Sequence, residues 1–316
     1  HSLGILELRE AIAEYYLNKY GVTVSPDQIL VTSGTSPALF LICAALLDPG
    51  DNIILTDPHY ACYPNFITLL EGVPLMVKVL EEEGFQYRVE AVQERITRQT
   101  KGIMINSPAN PTGTLLSPEI MQQLATLSPY IIADEIYHGL VYEGKEHTIL
   151  EFTDRAFVLN GFSKLFAMTG WRLGYVIAPP EFVRPMQKIQ QNFFISAAAF
   201  VQRAAITALR EAGPDTKRMI DEYNRRRQFM VARLKEIGFG ISTDPTGAFY
   251  VFANAKRFDA DSYRLAFRIL EKAKVAVAPG IDFGANGEGY LRFSYANSLE
   301  NIAEGLQRIE RYLQEG

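Results

Sequence analysis

The sequence predicts an α/β fold: a mostly parallel sheet with helices on both faces over residues 1–205, followed by a smaller C-terminal α+β domain over 206–316. Three observations lead there. Short β-branched runs, apolar throughout, alternate with longer helical patterns, as strands covered on both faces by crossover helices require. The chemically unusual residues cluster just past the carboxyl ends of those runs, where ligands collect in open α/β sheets. From about Val201 the rhythm changes to long charged helices and short alternating strands, the pattern of a second core.

Taken in order, ELREAIAEYYLNKYG places Leu8, Ala11, Ile12, Tyr15 and Tyr16 on one helical face and stops at Gly21. QILVTSG reads as the first strand and PALFLICAALLDPG as the helix after it. NIILTDP is the second strand, with a helix around 61 to 71. PLMVKVL, GIMINSP, YIIADE, AFVLNG and GYVIAP continue the strands. Further on, QRAAITALREA and TKRMIDEYNRRRQFMVARLKEIG are helices, TGAFYVFAN, VAVAPG and GYLRFSYA are strands, and an amphipathic helix from Leu299 closes the chain. No internal repeat, low-complexity segment or Gly/Ser-rich linker interrupts this order.

Composition narrows the function classes. A chain of 316 residues, 48% of them hydrophobic, can build one large or two moderate cores. The formal charge of -5 and the lack of a basic run argue against nucleic acid as a partner. No apolar stretch approaches the length that spans a bilayer, which argues against a membrane partner. Cys43 in LFLICAALL and Cys62 in HYACYPNF read as small hydrophobes, which fits a reducing, cytoplasmic setting. The chain starts at His1-Ser2-Leu3 without an initiator methionine and runs almost at once into a helix, so residues before His1 are expected. Asp134, Glu135 and His138 do not make a metal site, since only one histidine is involved and no second cluster supports it.

The segment NGFSKLFAMTGWRLGY, residues 160 to 175, surrounds Lys164 with apolar bulk. A free lysine amine is protonated and a poor nucleophile, whereas burial penalises the charge and lowers its pKa. Such an amine can attack a carbonyl. Its main use is a Schiff base, with a substrate ketone or with pyridoxal phosphate. The second option needs an acid beside the pyridine nitrogen and a cradle for the phosphate. Asp134 in YIIADEIYHG is an acid at a strand end, and Ser33-Gly34-Thr35 leads into a helix whose first amides can hold a phosphate. Arg172 adds a cation. Taken singly, Asp134 reads equally well as a helix cap, Tyr60 as a core or rim aromatic and Arg292 as a strand-face charge. Their combination favours chemistry.

GFSKLFAMTGWRLG, from Gly161 to Gly174, resembles the pyridoxal-phosphate attachment signature of class I aminotransferases, which have fold type I. SGTSPAL, DPHYACYPNF, NSPANPTG, ADEIYHGL and PGIDFGANGEGYLRFSYA follow in the family's order and cover essentially the whole chain. The resemblance implies an aminotransferase that moves an amino group from an L-amino acid to a 2-oxo acid by a ping-pong cycle. It implies that Lys164 forms the Schiff base with pyridoxal 5'-phosphate and carries the proton between Cα and C4′. Asp134 would hold the ring nitrogen protonated; Tyr137, one helical turn on, and Asn110 would bond the ring's phenolic oxygen; Tyr60 would stack on the ring. Ser33, Gly34, Thr35, Ser163 and Arg172 would serve the phosphate, and Arg292, helped by Asn110, would clamp the substrate carboxylate. The family also implies a homodimer, and a segment before His1 that closes over the substrate.

Departures from the pattern matter too. Gly161 stands where many relatives have a serine that donates to the phosphate, a contact that Ser163 could take over. Ser36-Pro37 stands where some aspartate-specific relatives carry a lysine, which weakens a preference for aspartate. Carbon–sulfur β-lyases of the same fold share nearly all of these residues and are told apart by releasing pyruvate and ammonia. Aminotransferase-like sensor domains of regulators keep the lysine, but the intact NPTG segment and Arg292 speak against that reading.

Overall fold

The structure, a computed structural model, describes residues 1–315. Each apolar run read above becomes a strand: β1 (Ile29–Thr32), β2 (Asn52–Asp57), β3 (Val73–Lys78), β4 (Thr100–Asn106), β5 (Tyr130–Asp134), β6 (Ala156–Gly161) and β7 (Gly174–Ile177). They form one sheet in the order β1-β7-β6-β5-β4-β2-β3. All neighbouring pairs are parallel except the two made by β7, which runs antiparallel to both β1 and β6.

Side chains along a strand alternate between faces, and here both faces are apolar. Ile103 and Ile105, Ile131 and Ala133, and Ala156 and Val158 point into one core. Met104, Ile132, Phe157 and Leu159 point into the other. The first core is closed by α1 (Leu6–Tyr20), α4 (Val89–Gln93), α5 (Pro118–Ala125) and α7 (Ala199–Glu211). The second is closed by α2 (Thr35–Leu46), α3 (Tyr63–Leu69) and α6 (Pro180–Phe193). Phe157 is fully buried between the rings of Tyr130 and Phe182, with centroids 5.7 and 5.0 Å away, which fastens α6 to the sheet. Each such ring adds roughly 1.5–3 kcal/mol of burial.

The remaining chain builds the smaller unit. Here α8 (Gly213–Ile237), α9 (Ser262–Ala273) and α10 (Leu299–Glu315) enclose β8 (Tyr250–Asn254), β9 (Ala278–Pro279) and β10 (Tyr290–Ser294), an antiparallel sheet ordered β8-β10-β9. Its core is separate, centred on Leu234, Val251, Leu265, Ile269, Leu291 and Tyr295. The boundary expected between residues 205 and 206 falls inside α7, where Ile206, Ala208 and Leu209 pack against the first core. We propose that the two units divide at Ala212, between α7 and α8.

Helix α1 also reaches the segment that follows β5. Tyr16 Oη donates to Glu135 Oε2 at 3.4 Å, Tyr20 Oη lies 2.7 Å from His138 Nδ1, and Lys19 pairs with Glu146. Thr148 Oγ1 and the Ile149 N–H donate to the other Glu135 oxygen. Burial pushes the Glu135 carboxyl up to about 8 and pulls His138 down to about 4. Native Glu135 therefore keeps its proton to about pH 8, whereas an unfolded glutamate releases it near 4.5. Its stabilising contribution is complete below 4.5 and is lost as pH rises through 8. Glu135→Gln should thus gain on the wild type in thermal midpoint as pH is raised from 5 to 8; a difference that stays constant across that range would contradict the burial assigned to this carboxyl.

Candidate active site

The carboxyl ends of β2, β4, β5 and β6 lie along one edge of the sheet; Asp134 is the last residue of β5, and the segments beyond β2, β4 and β6 carry Tyr60, Asn110 and Lys164. Because β7 runs the other way, it is its amino end, with Arg172 just before it, that arrives at this same edge. Close backbone contact holds the corner. Gly161 and Thr32 both face Gly174 in the ladder, and a Cβ on Gly174 would lie 2.8 Å from Gly34 C and 2.9 Å from Thr35 N. Gly34 has φ +102, and a Cβ there would lie 2.5 Å from Arg172 Nη2. A side chain at either position would push the arginine or the start of α2 away. Gly161 is explained in the same way, since a Cβ on it would meet Gly174 Cα and Leu173 O at 2.9 Å.

At this edge a cavity of about 330 Å³ opens, within the usual range for small-molecule sites. Among the residues lining it are Thr35, Tyr60, Asn110, Asp134, Tyr137, Ser163, Lys164, Arg172 and Arg292. Asp134 is buried at 9% exposure; its Oδ2 accepts from Tyr63 Oη at 2.7 Å and its Oδ1 from the Ile136 N–H at 3.2 Å. Burial raises its pKa, while the Tyr63 bond, the Ile136 bond and Lys164 act the other way. Lys164 is half-buried, with Nζ 5.2 Å from the Phe249 ring centroid and 5.4 Å from that of Tyr137. Burial lowers its pKa; Asp134 opposes this, and Arg292 and Arg172 reinforce it. Arg292 Nη1 donates to Asn110 Oδ1 at 2.8 Å, and its guanidinium lies between the rings of Tyr250 and Phe283 at 4.3 and 4.7 Å.

These donors suit pyridoxal phosphate. Asp134 is a buried acid that would suit a protonated ring nitrogen. Gly34, the residue before α2, provides no side-chain cap, so the first N–H groups of the helix are free for a phosphate, with Arg172 beside them. Lys164 supplies an amine whose charge is disfavoured.

The family model described as aminotransferase class I and II matches residues 1–309. The chain belongs to that family. It is 43% identical over 316 residues to the (5-formylfuran-3-yl)methyl phosphate transaminase of Methanocaldococcus jannaschii, covering 99% of this chain and 82% of that protein. It is 39% identical to an aspartate aminotransferase of Pyrococcus horikoshii, covering 98% and 82%. The crystal structure of the aromatic aminotransferase from Pyrococcus horikoshii superposes with a TM-score of 0.96 at 36% identity, covering 99% of this chain and 86% of that one. The protein is thus a pyridoxal-phosphate-dependent aminotransferase of fold type I.

In this aminotransferase the sequence-predicted residues converge with few exceptions. Ser33 and Gly34 do not line the cavity; Gly34 acts through its backbone next to Arg172. The helix expected after Asp134 is absent: residues 136 to 139 form a turn, because Asp134 Oδ1 takes the Ile136 N–H and Glu135 is drawn toward Thr148 and Ile149. Tyr137 reaches the cavity by that turn. Sequence reasoning missed Tyr63, Asn106 and Tyr250. Asn106 donates to the Asp134 carbonyl at 2.8 Å and accepts from the Asn110 N–H at 2.8 Å, joining β4, β5 and the NPTG loop. Its place at the end of a strand was the one signal available. Tyr63→Phe removes a bond to the charged form of Asp134, so that carboxyl's pKa should rise further and the dissociation constant for pyridoxal phosphate should increase about tenfold, the value of one hydrogen bond to a charged group. Equilibrium dialysis that gives an unchanged constant would show that this bond does not support the charge on Asp134.

Proposed function

We propose that Lys164 is the covalent attachment point for pyridoxal phosphate and the residue that moves the substrate proton, with an L-amino acid as donor and a 2-oxo acid as acceptor. The observation that carries this is one cavity lined by a charge-disfavoured lysine, a buried aspartate and two arginines on opposite units. In this reading Asp134 faces the ring nitrogen, Tyr137 and Asn110 bond the phenolic oxygen, and Tyr60 covers the ring. Ser33, Gly34, Thr35, Ser163 and Arg172 surround the phosphate, while Arg292 and Asn110 take the substrate α-carboxylate.

When bound, pyridoxal phosphate supplies an aldehyde for the amine and a ring that withdraws electrons from the substrate Cα. The chain supplies the rest. Asp134 accepts bonds from the Tyr63 hydroxyl and the Ile136 N–H, both of which favour its charged form, and would hold the ring proton. The lowered pKa of Lys164 raises the share of free amine, which would take the proton from the substrate Cα and deliver it to C4′ of the cofactor. Arg292 presents a planar fork to the carboxylate, its plane set by Tyr250 and Phe283. One 2-oxo acid leaves before the next enters, so the cycle is ping-pong. Among the described lining residues Lys164, Arg172 and Arg292 are the cations, all with assigned partners, and Ser36 fills the wall where a lysine would serve a side-chain carboxylate. This argues against aspartate as the preferred donor.

The exposed Phe193, Ile195 and Phe200, at 71%, 75% and 73%, support a homodimer in which these side chains are covered. Sedimentation equilibrium should return twice the chain mass, and a monomer at micromolar concentration would remove this part. The free thiols of Cys43 and Cys62 support a reducing, cytoplasmic setting.

Lys164→Ala should lose the covalent absorption band of the cofactor together with all turnover, and retention of both would end the reading. Arg292→Gln should raise KM for amino donor and oxo acid alike by roughly 100-fold, the worth of a bidentate charge-assisted contact, with kcat less affected. Steady-state kinetics that show no rise in KM would take the carboxylate away from Arg292.

A further inference from the structure

Tyr250 holds none of the family-implied roles, yet it touches two of the residues that do. It opens β8 and pairs with Ser294 on β10, while Arg292 pairs with Phe252, so Tyr250 and Arg292 rise from the same face of the small sheet as diagonal neighbours. The phenol is buried at 7% exposure and lines the cavity. Its ring lies 4.3 Å from the Arg292 guanidinium carbon. Its hydroxyl lies 3.1 Å from the hydroxyl of Tyr137, across the gap between the two units.

Two phenols that share one hydrogen bond must divide the roles of donor and acceptor. If Tyr137 were the donor, its proton would be spent on Tyr250 and none would be left for an acceptor in the cavity. If Tyr250 is the donor, the Tyr137 proton is free to point inward, and the bond it receives polarises it into a stronger donor. An anionic oxygen in the cavity favours the second arrangement. Resting on the reading of Tyr137 and Arg292 given above, we propose that Tyr250 is a positioning residue which couples the two: its hydroxyl directs the Tyr137 proton toward the phenolic oxygen of the cofactor, and its ring sets the plane of the carboxylate-binding Arg292. A single rigid side chain on the smaller unit then links the substrate carboxylate to the proton affinity of the group on Lys164.

The test uses the holoenzyme and three variants, Tyr250→Phe, Tyr250→Leu and Tyr137→Phe. Two quantities are read: the pH midpoint of the bound cofactor's visible absorption, and the dissociation constant of propionate as a plain monocarboxylate probe. A weaker hydrogen bond to an anionic oxygen raises its proton affinity, so Tyr250→Phe should move the midpoint upward by roughly half a pH unit, less than Tyr137→Phe does, and leave propionate binding within about twofold. Tyr250→Leu should move the midpoint similarly and also weaken propionate by about fivefold through loss of the ring against the guanidinium. A side chain that merely fills space would leave the midpoint alone in Tyr250→Phe, which keeps the ring. With Tyr137→Phe shifted, a wild-type midpoint in Tyr250→Phe or wild-type propionate binding in Tyr250→Leu overturns the coupling. No shift in Tyr137→Phe overturns instead the role given to Tyr137.

Discussion

A sheet buried on both faces has nowhere to put polar groups except its edges, and this constraint organises the molecule. Two apolar cores, one on each side of β4, β5 and β6, exclude water from everything between the helices. The ionisable side chains that line the cavity therefore collect where the strands run out. There they are still partly desolvated by the cores behind them, so their charges interact strongly. Asp134 feels this as the last residue of β5, where burial raises its pKa.

The edge works because several contacts hold opposed preferences in balance. Burial raises the pKa of Asp134, and the hydroxyl of Tyr63, the amide of Ile136 and the nearby ammonium resist that. Burial lowers the pKa of Lys164, and Asp134 resists that in turn. Each group thus sits nearer the point at which a proton can move than it would in water. Behind them, helix α1 is tied to the same turn through Tyr16, Tyr20 and Lys19, so the turn that carries Tyr137 is braced from outside the cavity.

The smaller unit contributes geometry more than charge. It brings Arg292 against Asn110 and places Tyr250 and Phe283 on either side of the guanidinium. Further contacts hold the units together away from the cavity: Asn286 is bonded through both its N–H and its side-chain amide to Asp57 at the end of β2, and Tyr290 donates to Glu81. The Arg292 guanidinium is thus held by residues of both units.

The sequence by itself determined the seven strands of the sheet and their order along the chain, and singled out Lys164, Asp134, Arg172, Asn110 and Arg292, which the structure brings to one cavity, because apolar runs and a long signature are local properties of the text. Direction and distance are not local. Nothing in GYVIAP says that this strand runs against its neighbours, yet that reversal is what delivers Arg172 to the edge. Nothing near Tyr63 or Tyr250 marks them, since their partners Asp134 and Tyr137 lie 71 and 113 residues away. The turn after Asp134 was decided by competition for backbone and carboxyl bonds that only the folded surroundings provide. Hydrophobic pattern selects what is buried; which polar atoms then meet depends on packing between segments far apart in the chain.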